Sequence, residues 1–231
     1  MASKKSNFLQ QQKIAIGIIG VIAVTIVIYF STMVVTDAPN GEFAEGRHYQ
    51  TLEEPGKVRG RKEEVMEFFS YGCVHCCNFD PESEGWVQAN ADTVKFVRTP
   101  VLGSNLWRLY GQTYFTMQEL GILGENHVRF FTDIHTARRN LSSLDTVAAW
   151  FEGKGTTEAA FRAAFNSENV RRRLAKADAL SRAYKIASVP SVVVNAKYLI
   201  GVNSEVGTKR LLEVTEHLLS KPEQTQEEKP S

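Results

Sequence analysis

"FFSYGCVHCCNF", residues 68–79, holds every cysteine of the 231-residue chain: Cys73, Cys76 and Cys77. The run before it, "VMEFFS" at residues 65–70, has the apolar and aromatic character of a buried strand and stops at Gly72. The residues after it read as a helix, so a Cys-x-x-Cys pair stands where a strand hands over to a helix. Cys73 then meets the unpaired backbone N–H groups and the positive end of the helix dipole, which favour a thiolate and a pKa below the roughly 8.5 of a free thiol. Cys76 lies three residues on, on the same helix face but deeper. It can close a disulfide with Cys73 or attack a mixed disulfide there. His75 can place a protonated or polar ring near the Cys73 sulfur and stabilise the thiolate further. A stable reduced form makes the corresponding disulfide oxidising. Val74 carries no chemistry of its own and sets shape.

Cys77 is a step of about 100° around the helix from Cys76, so the three thiols do not share one geometry. Three readings stay open for it: a small buried hydrophobe, a third thiol that regulates or misdirects the pair, and a metal ligand. Cys73, His75, Cys76 and Cys77 crowd one helix start, whereas zinc sites normally draw on two separated pairs. His127 and His135 lie eight apart and His48 and His217 are isolated, so the expectation is no metal site. Glu67 interrupts the apolar strand on the face shared with Val65 and Phe69. It is either a buried proton acceptor beneath the cysteines, with Arg98 as partner, or a carboxylate on a solvated sheet face. Asp80 before Pro81 reads as a cap at which the helix restarts.

Working outward, residues 93–99, "TVKFVRT", form a second strand. From residue 105 to about 187 only helix-period patterns appear, such as "AAFRAAF" and "VRRRLAKADALSRAYKI". "SVPSVVVNAKYLIG" then gives a strand, a turn around residues 195–197 and another short strand, expected as an antiparallel hairpin at the sheet edge. "SEVGTKRLLEVTEHLLS" closes as an amphipathic helix capped by Ser204, with Leu211, Leu212, Val214, Leu218 and Leu219 as its apolar stripe. Strands separated by a helix favour parallel pairing.

The N-terminus carries Lys4, Lys5 and Lys13 with no acid, followed by 23 uncharged residues, 14–36. As a helix these span roughly 33 Å, enough to cross a bilayer. The lysines keep residues 1–13 cytoplasmic, and Asp37 and Glu42 follow on the exported side. A cleaved signal peptide, leaving a soluble periplasmic protein, is the alternative, but "STMVVTDAPN" offers no A-x-A-like site and the apolar run exceeds about 15 residues. The whole chain has net charge +1; without the three tail lysines, 24 basic residues face 26 acidic ones. That balance gives no footprint for nucleic acid, and "RRRL" at residues 171–174 reads as a solvated helix face.

The residues resemble the DsbA family of bacterial thiol:disulfide oxidoreductases. "EGRHYQTLEEP" is similar to its N-terminal lead-in and "MEFFSYGCVHC" to its strand and active site. "FRAAFNS" resembles a helix of its helical insertion, and "SVPSVVVNAKYLI" the segment with its cis-proline. The similarity runs from about residue 43 to 219. It implies an α/β thioredoxin-like fold with an inserted all-helical domain; the N-terminal transmembrane helix read from residues 14–36 precedes it. The expected organisation is a cytoplasmic tail (1–13), an anchor (14–36), a linker (37–48), a thioredoxin-like domain (49–104 and 186–219), a helical insertion (105–185) and a disordered tail (220–231).

The resemblance further implies Cys73 as nucleophile, Cys76 as resolving thiol, His75 as thiolate stabiliser, Glu67 as the buried acid and Pro190 as the cis-proline facing the Cys73–Cys76 disulfide. Val189, Pro190 and Val74 would meet the substrate segment. No cofactor is implied. The implied partners are reduced, unfolded exported proteins and a quinone-linked membrane oxidase of the DsbB kind; the anchor in the bacterial inner membrane rests on residues 14–36 alone and is absent from the soluble periplasmic members of the family. The same dithiol run backwards would make a reductase or isomerase, and a metal carrier or assembly chaperone is the rival from another class. Two departures stand out: Val74 where the family often has proline, and Cys77 where an aromatic residue is common.

Overall fold

The computed structural model describes residues 43–221, apart from Lys57 and Arg59, together with Thr25. The expected anchor at residues 14–36, the first part of the linker and the tail after residue 221 lie outside the described residues. Among the described residues no helix is long and apolar enough to cross a membrane.

In chain order the elements are β1 (Gln50–Thr51), β2 (Glu63–Phe69), α1 (Val74–Ala89), β3 (Val94–Pro100), α2 (Asn105–Glu119), α3 (Leu123–His135), α4 (Leu144–Phe151), α5 (Glu158–Phe165), α6 (Glu168–Ala183), β4 (Ser191–Val194), β5 (Tyr198–Gly201) and α7 (Arg210–Leu219). The five strands form one sheet in the order β1-β5-β4-β2-β3. Strands β2 and β3 are parallel, with Glu67 opposite Arg98, and the other pairs are antiparallel. β2 is an interior strand, between β4 and β3, and buries five consecutive residues, 65–69, because both faces of the sheet are covered.

One face carries Val65, which packs with Phe79 and Trp86 of α1 and with Leu211, Val214 and Leu218 of α7. The other carries Met66 and Phe68, which meet Tyr184 just past α6. At the end of β2, Phe69 passes into a third cluster built largely from the helices between β3 and β4, where Phe130, Phe131, Phe151 and Phe161 are buried. Phe151 and Phe161 stack with centroids 4.3 Å apart. Four of these five helices start on a Ser or Thr whose side chain accepts a backbone N–H of the first turn: Ser104, Ser143, Thr157 and Ser167.

Four expectations are corrected. The β4–β5 hairpin is not the sheet edge, because the two-residue β1 covers β5. Residues 43–48, read as linker, fold onto the domain: Phe43 packs edge-on to His48 and His217 and lies beneath the Arg210 guanidinium. Ser204 does not cap the last helix, which begins at Arg210. The polar stretch before it is a loop closed by Asn203, whose side chain accepts the N–H groups of Glu205 and Val206. Finally, α1 does not restart at Asp80. It runs through Pro81, and the Asp80 side chain turns into the protein.

Candidate active site

The turn after β2 delivers Cys73 to the N-cap position of α1 with extended backbone (φ −103°, ψ 117°) and no capping side chain. Its sulfur thus occupies the place where a Ser or Asp oxygen would normally collect first-turn N–H groups. Cys73 is 9% exposed and Cys76 fully buried. All three cysteines are free, so the structure shows the dithiol form.

The two thiols of the pair ionise in opposite directions. The hydrogen bond from the Cys76 thiol, then the backbone N–H groups of Cys76 and His75 and the charge of His75, outweigh burial and pull Cys73 down to about 6. Burial first, and then its hydrogen bond to Cys73, push Cys76 far above the usual thiol range. One sulfur is therefore the available thiolate, and its neighbour holds a proton. His75 and Val74 are both exposed at the helix start, Val74 to 49%. The Cys73 thiol donates to the Val189 carbonyl at 3.4 Å, and the Val189–Pro190 bond is cis. The structure thus sets Cys73 between the exposed Val74 and His75 of the helix start, the buried Cys76 beneath it and the cis Val189–Pro190 bond against its sulfur. Cys77 is half-buried against the helical cluster, and burial, Asp80 and Cys73 together raise its pKa.

Beneath the pair lies Glu67, only 2% exposed. Arg98 Nε donates to its carboxylate at 3.1 Å, while another guanidinium nitrogen donates to Asp80 and Glu84, each at 3.2 Å. Desolvation outweighs Arg98, and with the charges of Asp80 and Glu84 it lifts Glu67 to about 7. The open choice for Glu67 resolves to the buried, paired carboxylate. It ionises near neutrality and acts electrostatically on Cys76.

Sequence reasoning missed the residues that complete this layer. Asp80 pairs with Arg98 and also with His127 Nε2 at 2.9 Å. Burial opposes its ionisation, yet the His127 contact and Arg98 hold it below the usual carboxylate range. His127 Nδ1 meets the Tyr71 hydroxyl at 2.5 Å, and His135 Nε2 the Tyr71 carbonyl at 2.8 Å. The available signal was two histidines eight apart on one helix, flanking the buried Phe130 and Phe131. Trp107 was missed as well. Its indole covers Gly72 so closely that a Cβ there would lie 2.6 Å from Nε1.

A family model described as thioredoxin matches residues 61–213. The thiol:disulfide interchange protein DsbA of Pseudomonas aeruginosa is 32% identical over 78% of this chain and 86% of its own, and that of Azotobacter vinelandii 34% identical over 78% and 85%. The chain belongs to the DsbA family. The crystal structure of Pseudomonas aeruginosa DsbA superposes with a TM-score of 0.72 at 32% identity, covering 77% of this chain and 93% of that one. The fold is thus thioredoxin-like with a helical insertion, and the chain is a thiol:disulfide oxidoreductase. As a DsbA-family member it meets thiol exchange with a divided dithiol: an outer sulfur that ionises easily and an inner one that does not.

Proposed function

We propose that the chain is a membrane-anchored disulfide donor of the bacterial periplasm, whose Cys73–Cys76 disulfide oxidises reduced, unfolded exported proteins. The observation that carries this reading is the low pKa of Cys73, about 6, beside a buried Cys76. A stabilised thiolate favours the reduced form and makes the disulfide a good oxidant. A substrate thiolate attacks the Cys73 sulfur, and Cys76 leaves and takes a proton from Glu67. A second substrate thiol then attacks the substrate sulfur of the mixed disulfide and expels Cys73 as a stable thiolate.

Reoxidation runs the same groups in reverse. Cys73 attacks the disulfide of a quinone-linked, DsbB-like membrane partner. Cys76 then passes its proton to Glu67 and closes the bond. Val189, Pro190 and Val74 surround the sulfur and receive the extended substrate segment, and His75 stabilises the thiolate. Residues 14–36 anchor the chain, with residues 1–13 cytoplasmic and the catalytic domain periplasmic. Anchoring raises the local concentration of the dithiol near such a partner.

Equilibration of the full chain with glutathione redox buffers tests the direction. The expected potential lies well above thioredoxin's; a value as low as about −270 mV would assign the chain to reduction instead. Cys73→Ser should abolish oxidation of a reduced, unfolded substrate, and a retained rate would remove Cys73 from the mechanism.

A further inference from the structure

Tyr71 stands two residues before Cys73 and is held at both ends by one helix: its hydroxyl by His127 and its carbonyl by His135. From His127 the contacts continue inward to Asp80, then Arg98, then Glu67. Tyr71, His127, Asp80 and Glu67 are all buried. Asp80 is an acceptor, so His127 Nε2 carries a proton in either charge state, and Nδ1 is left to the Tyr71 hydroxyl. None of these contacts touches a sulfur.

We propose that His127 is a positioning residue for the dithiol reaction: by holding Asp80 it sets how Arg98 divides itself between Asp80 and Glu67, and hence how readily Glu67 takes the Cys76 proton. The proposal rests on the reading of Glu67 as that proton acceptor. Arg98 is permanently charged and is shared by three carboxylates, of which Glu84 is half-exposed. Asp80 has two donor groups, the half-buried Arg98 and the buried His127. With His127 removed, Asp80 draws the guanidinium toward itself. Glu67 is then less compensated, keeps its proton at neutral pH and cannot accept another.

The affected step is resolution of a mixed disulfide. With glutathione on Cys73, the Cys76 thiol gives its proton to the Glu67 carboxylate, the Cys73–glutathione S–S bond breaks as the Cys73–Cys76 bond forms, and the electron pair leaves on the glutathione sulfur. The titratable and charged groups around Glu67 are Cys76, Asp80 and Glu84 of α1, Arg98 of β3, Tyr114 of α2, His127 of α3, and Tyr71 of the turn after β2.

The test mixes the reduced full chain with oxidised glutathione, quenches with acid at intervals and measures the lifetime of the mixed disulfide across pH. His127→Phe keeps the ring and removes both polar contacts. Its mixed disulfide should live about fivefold longer at neutral pH, with the pH midpoint of resolution about one unit higher. His127→Gln supplies a donor and an acceptor again and should stay within about twofold of wild type. A folded His127→Phe with wild-type lifetime and midpoint overturns the proposal, as does His127→Gln as slow as His127→Phe. Tyr71→Phe provides the second route if His127→Phe fails to fold: it frees Nδ1 alone and should lengthen the lifetime about threefold. A wild-type lifetime for Tyr71→Phe overturns the proposal there. Glu67→Gln separates the two readings: unchanged resolution removes Glu67 as acceptor and the role of His127 with it, whereas slow Glu67→Gln beside an unchanged His127→Phe removes His127 alone.

Discussion

The Cys73 sulfur sits at the N-cap of α1 beside first-turn N–H groups, and this has a consequence for stability. In the reduced protein its pKa is pulled down to about 6, well below that of a free thiol. Its folded pKa is depressed, so its contribution is fully present above about pH 9 and is lost as pH falls through about 6. At about 1.4 kcal/mol per unit, the contribution is on the order of a few kcal/mol. The disulfide form has no such proton to bind, while Glu67 titrates in both forms. The stability of the reduced form relative to the oxidised form should therefore fall as pH is lowered through about 6, as read from paired denaturant titrations. A difference that does not change with pH would mean that Cys73 is not a thiolate at neutrality. For Cys77, half-buried and held protonated, Cys77→Ala should leave the rate of substrate oxidation within about twofold and cost about 1 kcal/mol of packing. A tenfold loss of rate would place the third thiol in the reaction.

At the level of elements, the junction of β2 and α1 is held from outside by α2 and α3. Trp107 of α2 lies over Gly72 with no room for a methyl group. Gly72→Ala must displace the indole or the turn, with an expected loss of about 1–3 kcal/mol. Because the turn aims Cys73, the thiolate absorbance of the variant should also titrate at higher pH; an unchanged profile would show that the indole yields without moving the sulfur.

How far such elements are legible in the sequence follows from their local signals. The β2 run, the Cys-x-x-Cys junction and the β4–β5 turn announce themselves within a few residues. Asn195 and Ala196, both with φ near +50°, make that turn where sequence reading placed it. The two-residue β1 has too few residues to show a period. Asp80 carried a true local signal, a cap before Pro81, which lost to a tertiary one, the ion pair with Arg98 across the core. His127 and His135 were visible only as residues of no obvious use, because their partners lie 47 to 64 positions away in the chain.

For the whole molecule, the folded unit that begins at Phe43 contains every residue assigned to the dithiol chemistry. The redox potential is accordingly a property of that unit, and in the proposed function residues 1–36 bear only on where it acts. Expressed in a bacterial host, the full chain should sediment with membranes and resist extraction by high salt and by carbonate, yet dissolve in detergent. Recovery of a shortened chain in the soluble periplasmic fraction would instead identify residues 14–36 as a cleaved leader.

Glu67 and Arg98 sit opposite one another in the parallel pairing of β2 with β3. A buried ion pair is a weak source of net stability, because both charges give up water to meet. A slip of one residue between these strands would send the two side chains to opposite faces of the sheet, each charged and alone. Neighbouring β-branched and aromatic residues would tolerate such a slip far better than these two. The buried pair thus also penalises a misaligned register of β2 against β3.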